Sequence, residues 1–250
     1  MNGEELLVDK HAAQGQLTLS LRDLFVWTFL CGLMIAAERF STPWLDPNEI
    51  HFARWAAQMI NALSLGTGLF ALYRFSQQPK DATSNPWQPG HWLLCLVGVL
   101  APWYLLKVAW DYHYFWFQTP GPLEEFRSYF LVNGCLAITA WIVLLGVGLL
   151  LPVRPRYWWL ILFRFTVYFA MIIYAEIWTA FDATFPGLSL LLRWFPWNYP
   201  LGLAYLIVLS TLDAWQNGRH RDAVHWIGIV TMGAWFLPKV ISVIGKTFFR

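Results

Sequence analysis

The chain has 250 residues, 58% of them apolar and only 13% charged, with a net charge of +2 and a mean hydropathy of +0.45. A water-soluble domain carries about 25% charged residues to hydrate its surface, so the composition excludes an ordinary soluble globule and points to a surface that faces hydrocarbon. The charge balance is too small and too dispersed to make nucleic acid a partner, and no basic block reads as a tail for one.

Residues 1–20 form a short, mixed polar segment. The apolar run that follows from Leu24 to Ala37 lacks a good small-x-small cleavage site at Ala36-Ala37, so it reads as an uncleaved first span and not a secretory leader. Seven segments reach the length of about 17–25 mostly apolar residues that crossing a bilayer demands. They fall near 22–40, 52–75, 91–111, 127–151, 157–180, 199–216 and 223–245. Between them, Asp46-Pro47-Asn48-Glu49 looks like a helix cap followed by an acidic first turn, and Gln77 to Gly90, with three prolines, reads as an exposed loop. The apolar piece Gly187 to Phe195 is too short to cross and suits the interface, which leaves six or eight spans open as alternatives to seven. The expectation is an all-α fold, a polytopic transmembrane helix bundle of about seven spans, in a single domain covering 1–250.

Tryptophan and tyrosine favour the headgroup level, so 17 Trp in a chain with many helix ends need no cofactor to explain them. Cys31, Cys95 and Cys135 each lie in an apolar run and read as small hydrophobes; no Cys/His cluster suggests zinc. Lys10, Arg22, Arg74, Lys80, Arg154, Arg156, Arg219 and Arg221 fall to one side, and Arg39, Arg54, Arg127, Arg193, Lys246 and Arg250 to the other. The excess on the first side favours a cytoplasmic N-terminus. Gly66 and Gly68 in the second span, and Gly134, Gly146 and Gly148 in the fourth, would let neighbouring helices approach closely.

Ionisable groups within spans cost about 2.5–3.5 kcal/mol each at the centre. Glu38 and Asp213, near span ends, fit snorkelling to the interface. Lys107, Arg164, Glu176 and Lys239 are the intramembrane polar residues that need partners; Arg164 and Glu176 are too far apart to serve each other. On this topology one half of the bundle collects Glu38, Asp46, Glu49, His51, Lys107, Asp111, His113, Glu124, Glu125, Glu176 and Asp182, and with the aromatic run Trp110 to Phe117 they suggest a polar pocket with aromatic walls. His91 and His225 lie at span ends on a common side, where an axial pair for haem is conceivable. Asp111-x-His113 near Glu124-Glu125 is the nearest approach to a metal-ligand set, but neither pattern is strong enough to assign a cofactor or metal. Nucleotide-binding and hydrolase motifs are absent from the sequence.

Pro122-Leu123-Glu124-Glu125, at the start of the fourth span, resembles the P-x-E-E motif of membrane-embedded lycopene cyclases. That resemblance implies catalytic roles for Glu124, Glu125 and Asp111 on an isoprenoid or lipid, with a desolvated carboxylic acid protonating a double bond. The match covers about 20 residues, and Phe126-Arg127 stands where the family has paired phenylalanines. Lys239 after Pro238 invites comparison with the retinal lysine of microbial rhodopsins, but Trp235 replaces the expected Asp. Leu17 to Trp27 resembles the opening of many planctomycete membrane proteins, which implies a bacterial inner membrane. The leading functional expectation is a membrane-embedded subunit or scaffold, with membrane lipids and other membrane protein subunits as partners. A lipid or isoprenoid enzyme and a small transporter are the alternatives.

Overall fold

A computed structural model describes residues 20–40, 52–77, 88–117, 123–151, 153, 156–181, 195–217 and 221–248. Among these the fold is all-helical and forms a helix bundle. We label the helices α1 (Leu21–Phe40), α2 (Phe52–Ser76), α3 (Pro89–Phe117), α4 (Leu123–Leu150), α5 (Trp159–Ala180), α6 (Asn198–Asn217) and α7 (Ala223–Phe248), with 3-10 turns at Arg156–Trp158 and Phe195–Trp197. Four of them, α3, α4, α5 and α7, are long and apolar enough to cross a membrane. The expected cap at Asp46 to Glu49, the tip of the loop before α3 and the interfacial piece before Phe195 lie outside the described residues.

The spans expected from hydropathy coincide with these helices, and the largest difference is at the junction of α3 and α4. There α3 runs on to Phe117 and α4 begins at Leu123. Polar residues Asp111 to His113 continue the helix, because backbone hydrogen bonding carries it past the apolar run.

Helix α3 is central and packs on α1, α2, α4 and α7. Its stretch from Trp92 to Ala101 is buried on every side, as a helix apolar around its whole circumference should be. Outward, large apolar side chains remain exposed, among them Phe29, Ile142, Phe163 and Val230. Asp23, Glu38, Asp213 and His225 are buried instead. Apolar outside and charged inside is the inverse of a soluble fold, and it fits a membrane solvent.

Glycines set how closely the central helices cross. A Cβ on Gly68 would come 2.6 Å from the Gly98 amide nitrogen, and one on Gly66 2.8 Å from Cys31 Cα. Gly90 and Gly228 likewise bring the α3 and α7 backbones into contact. The expected close approach thus holds for α2. On α4, Gly148 packs against Leu162, whereas Gly146 faces open space and serves no approach.

Cross-helix ties show that neighbouring helices alternate in direction. At one end, Asp23 of α1 pairs with Arg74 of α2 at 3.0 Å, the Phe75 ring lies beside His91 of α3, and Trp92 Nε1 donates to Gly148 O of α4. At the other end, Phe40 of α1 meets Tyr112 of α3, and Arg127 of α4 donates to Ala180 O of α5.

Candidate intramembrane polar site

Three polar clusters sit inside the bundle, and they divide the charged residues differently from the sequence expectation. The first lies where the end of α3, the start of α4 and the end of α5 meet. Lys107 and Asp111, one turn apart on α3, pair at 2.6 Å. The Tyr129 hydroxyl of α4 donates to the other Asp111 oxygen at 2.8 Å, and its ring packs on Tyr114 with centroids 4.5 Å apart. Glu176 of α5 faces Lys107 and Asp111 across this junction. One turn beyond Tyr129, Asn133 is only 4% exposed. Its amide lies near the Tyr129 hydroxyl, yet neither amide atom, nor Glu176 Oε2, reaches a hydrogen-bond partner among the described residues. Leaving such a group unsatisfied costs about 1–3 kcal/mol, so this is the place among the described residues where a further polar group has most to bind. The Trp110 indole nitrogen is also buried and without a hydrogen-bond partner among the described residues, and its ring lies 5.9 Å from that of His113.

Of the outward group read from the sequence, the structure brings together Lys107, Asp111 and Glu176, whereas Glu38 lies in the second cluster described below. Glu124 and Glu125 occupy the first turn of α4, but their side chains lie outside the described part of the structure. Both Asp111 oxygens are engaged, by Lys107 and Tyr129, which leaves Asp111 poorly placed as a free general acid.

The second cluster joins α1, α2 and α7. Lys239 Nζ donates to Asn61 Oδ1 and to Trp235 O, each at 2.8 Å, and stands 4.1 Å from the Trp235 ring centroid. Asn61 Nδ2 in turn donates to Glu38 Oε1. An amide therefore bridges a cation on α7 and a carboxylate on α1. Pro238 cannot donate to the carbonyl of residue 234, and this loosened turn carries Lys239. A lysine beside a proline kink suits either snorkelling or helix pairing, and here Lys239 links α7 to Asn61 of α2. Glu38 corrects the snorkelling expectation: it is 7% exposed and held by Asn61, since an inward amide offers more than the interface does.

The third cluster lies at the opposite end. Asp213 is wholly buried, so it too does not snorkel. It accepts two hydrogen bonds from Arg221, at 2.8 and 2.5 Å, and one from Tyr157 at 3.3 Å. Its second oxygen is 3.1 Å from His225 Nε2. The Gly90 amide donates to His225 Nδ1 at 3.0 Å, which assigns the ring proton to Nε2. His91 does come near this group, through Asp222 at 3.1 Å. His225 Nδ1 is thus taken up by the Gly90 amide, while Nε2, although 3.1 Å from Asp213, makes no hydrogen bond among the described residues.

Arg164 stands apart from these clusters, donating to Asn198 O on α6 at 2.7 Å beside a cavity of about 10 Å³. Arg164 and Glu176 thus face different neighbours. Among those residues no group of three His, Cys, Asp or Glu side chains is placed to hold a metal.

Sequence reasoning missed Asn61, Tyr129, Asn133 and Asn198 because it weighed only ionisable groups. An uncharged amide in an apolar helix also needs a partner, and Val132-Asn133-Gly134 carried that signal. No family model, curated protein or solved structure matches the chain.

Proposed function

We propose that the chain is a multi-pass integral membrane protein, crossing seven times, that acts as a subunit or scaffold packing against partner helices and lipids. The observation that carries this reading is the use made of the buried charges. Asp23, Glu38, Asp213 and Lys239 are tied to residues on other helices or to their flanking segments. Such ties hold a bundle together and leave little for a transport path, while the outer faces of α4, α5 and α6 stay apolar. A bacterial inner membrane is the setting, with the basic end carrying Arg22, Arg74, Arg156 and Arg221 in the cytoplasm.

Mild detergent extraction of the tagged chain, followed by size analysis and mass spectrometry, tests the reading. A membrane protein partner in fixed stoichiometry is the expected result. A stable, monodisperse monomer that carries no other protein would count against it.

A further inference from the structure

Between the end of α4 and the start of α5 runs an open groove of about 660 Å³, within the range of about 300–1,000 Å³ typical of sites for ligand-sized molecules. Its walls are Leu149 of α4 and Leu160 and Phe163 of α5, all well exposed. Its length from Arg156 to Thr166 corresponds to about 15 Å of helix rise. Half of a hydrocarbon core of about 30 Å, the share of one leaflet, is the same length. The aromatic rings of Tyr157 and Trp159 lie at the Arg156 end, where a headgroup layer would favour them. Arg156 itself is exposed and has no carboxylate partner among the described residues.

From this combination we infer that the groove holds one acyl chain of an anionic phospholipid, with Arg156 binding the phosphate headgroup. The apolar walls match the chain, and the guanidinium matches a phosphate in charge and geometry. The anionic lipids of a cytoplasmic leaflet supply that headgroup on the side assigned to the basic end. The inference rests on the membrane reading but not on any protein partner.

The test uses the purified, delipidated full chain with phosphatidylglycerol, chain-matched phosphatidylcholine, or glycerol phosphate alone, scored by thermal unfolding and by lipid retained. Phosphatidylglycerol should raise the midpoint more than phosphatidylcholine, and glycerol phosphate should not reproduce the effect. Arg156→Gln should bind phosphatidylglycerol about fivefold more weakly, the equivalent of about 1 kcal/mol for one basic group at an anionic surface; Arg156→Lys should recover most of the preference. Leu149→Trp, which intrudes on the groove from an exposed position, should lower retention of both lipids. Equal response to the two lipids, an unaltered Arg156→Gln, or glycerol phosphate acting as well as the lipid would overturn the inference. So would a partner helix cross-linked through the groove at Phe163. If the chain failed to fractionate with membranes, the membrane reading would fall instead.

Discussion

Asp213 has no exposed surface, and four side chains approach it: Arg221, Tyr157, Asn217 and His225. Breaking one side of a buried pair leaves an uncompensated charge and costs about 3–5 kcal/mol. Arg221→Gln is therefore expected to destabilise the detergent-solubilised protein by about that amount, read from thermal or denaturant unfolding. Tyr157→Phe removes one long neutral-to-charged bond and is expected to cost about 1 kcal/mol. A smaller effect from Arg221→Gln than from Tyr157→Phe would contradict the geometry. At the Asp111 junction the expectation has the opposite sign. Asn133→Leu removes two amide atoms that lack partners among the described residues, and replacing an unsatisfied polar group by an apolar one of similar size is close to neutral or stabilising. The same substitution at Asn61, which joins Glu38 to Lys239, is expected to lower stability by several kcal/mol.

At the scale of the helix, the glycines separate approach from mere composition. Gly68→Ala places a Cβ 2.6 Å from the Gly98 amide nitrogen, and neither backbone can yield without parting α2 from α3. It is expected to destabilise by about 1–3 kcal/mol, the usual range for overpacking a core. Gly146→Ala meets nothing within 4 Å, and alanine favours a helix over glycine by about 1 kcal/mol. It should leave stability unchanged or raise it, measured in the same unfolding assay. Both glycines lie in apolar helices of similar sequence character, so hydropathy alone does not distinguish them. What does is the register at which one helix meets the next.

For the whole molecule, the alternation of helix directions predicts sidedness. In a Cys135→Ser background, single cysteines at Arg22 and Arg156 should react with an impermeant thiol reagent from one face of the membrane, and one at Arg127 from the other. Labelling of all three from one face would refute the alternating arrangement. The buried Cys31 and Cys95 should stay unlabelled until the protein is denatured.

Helix positions and their apolar nature were legible from the chain itself, because a segment that leaves water must satisfy its backbone internally, and that requirement acts locally. The convergence of Lys107, Asp111 and Glu176 was also foreseeable, since helix lengths and alternating directions place them at one depth. Which residues pair was not. Asp213 and Glu38 looked like interface groups, Asn61 and Asn133 looked unremarkable, and the partners that Arg164 and Glu176 each needed could not be named. Pairing depends on how helices distant in sequence are rotated and how closely their glycines let them approach, and no periodicity within a single helix encodes that. Tertiary packing alone decided that Asn61 links α1 to α7, that Asp213 lies beneath Arg221, and that Asn133 and Glu176 turn toward the same interior.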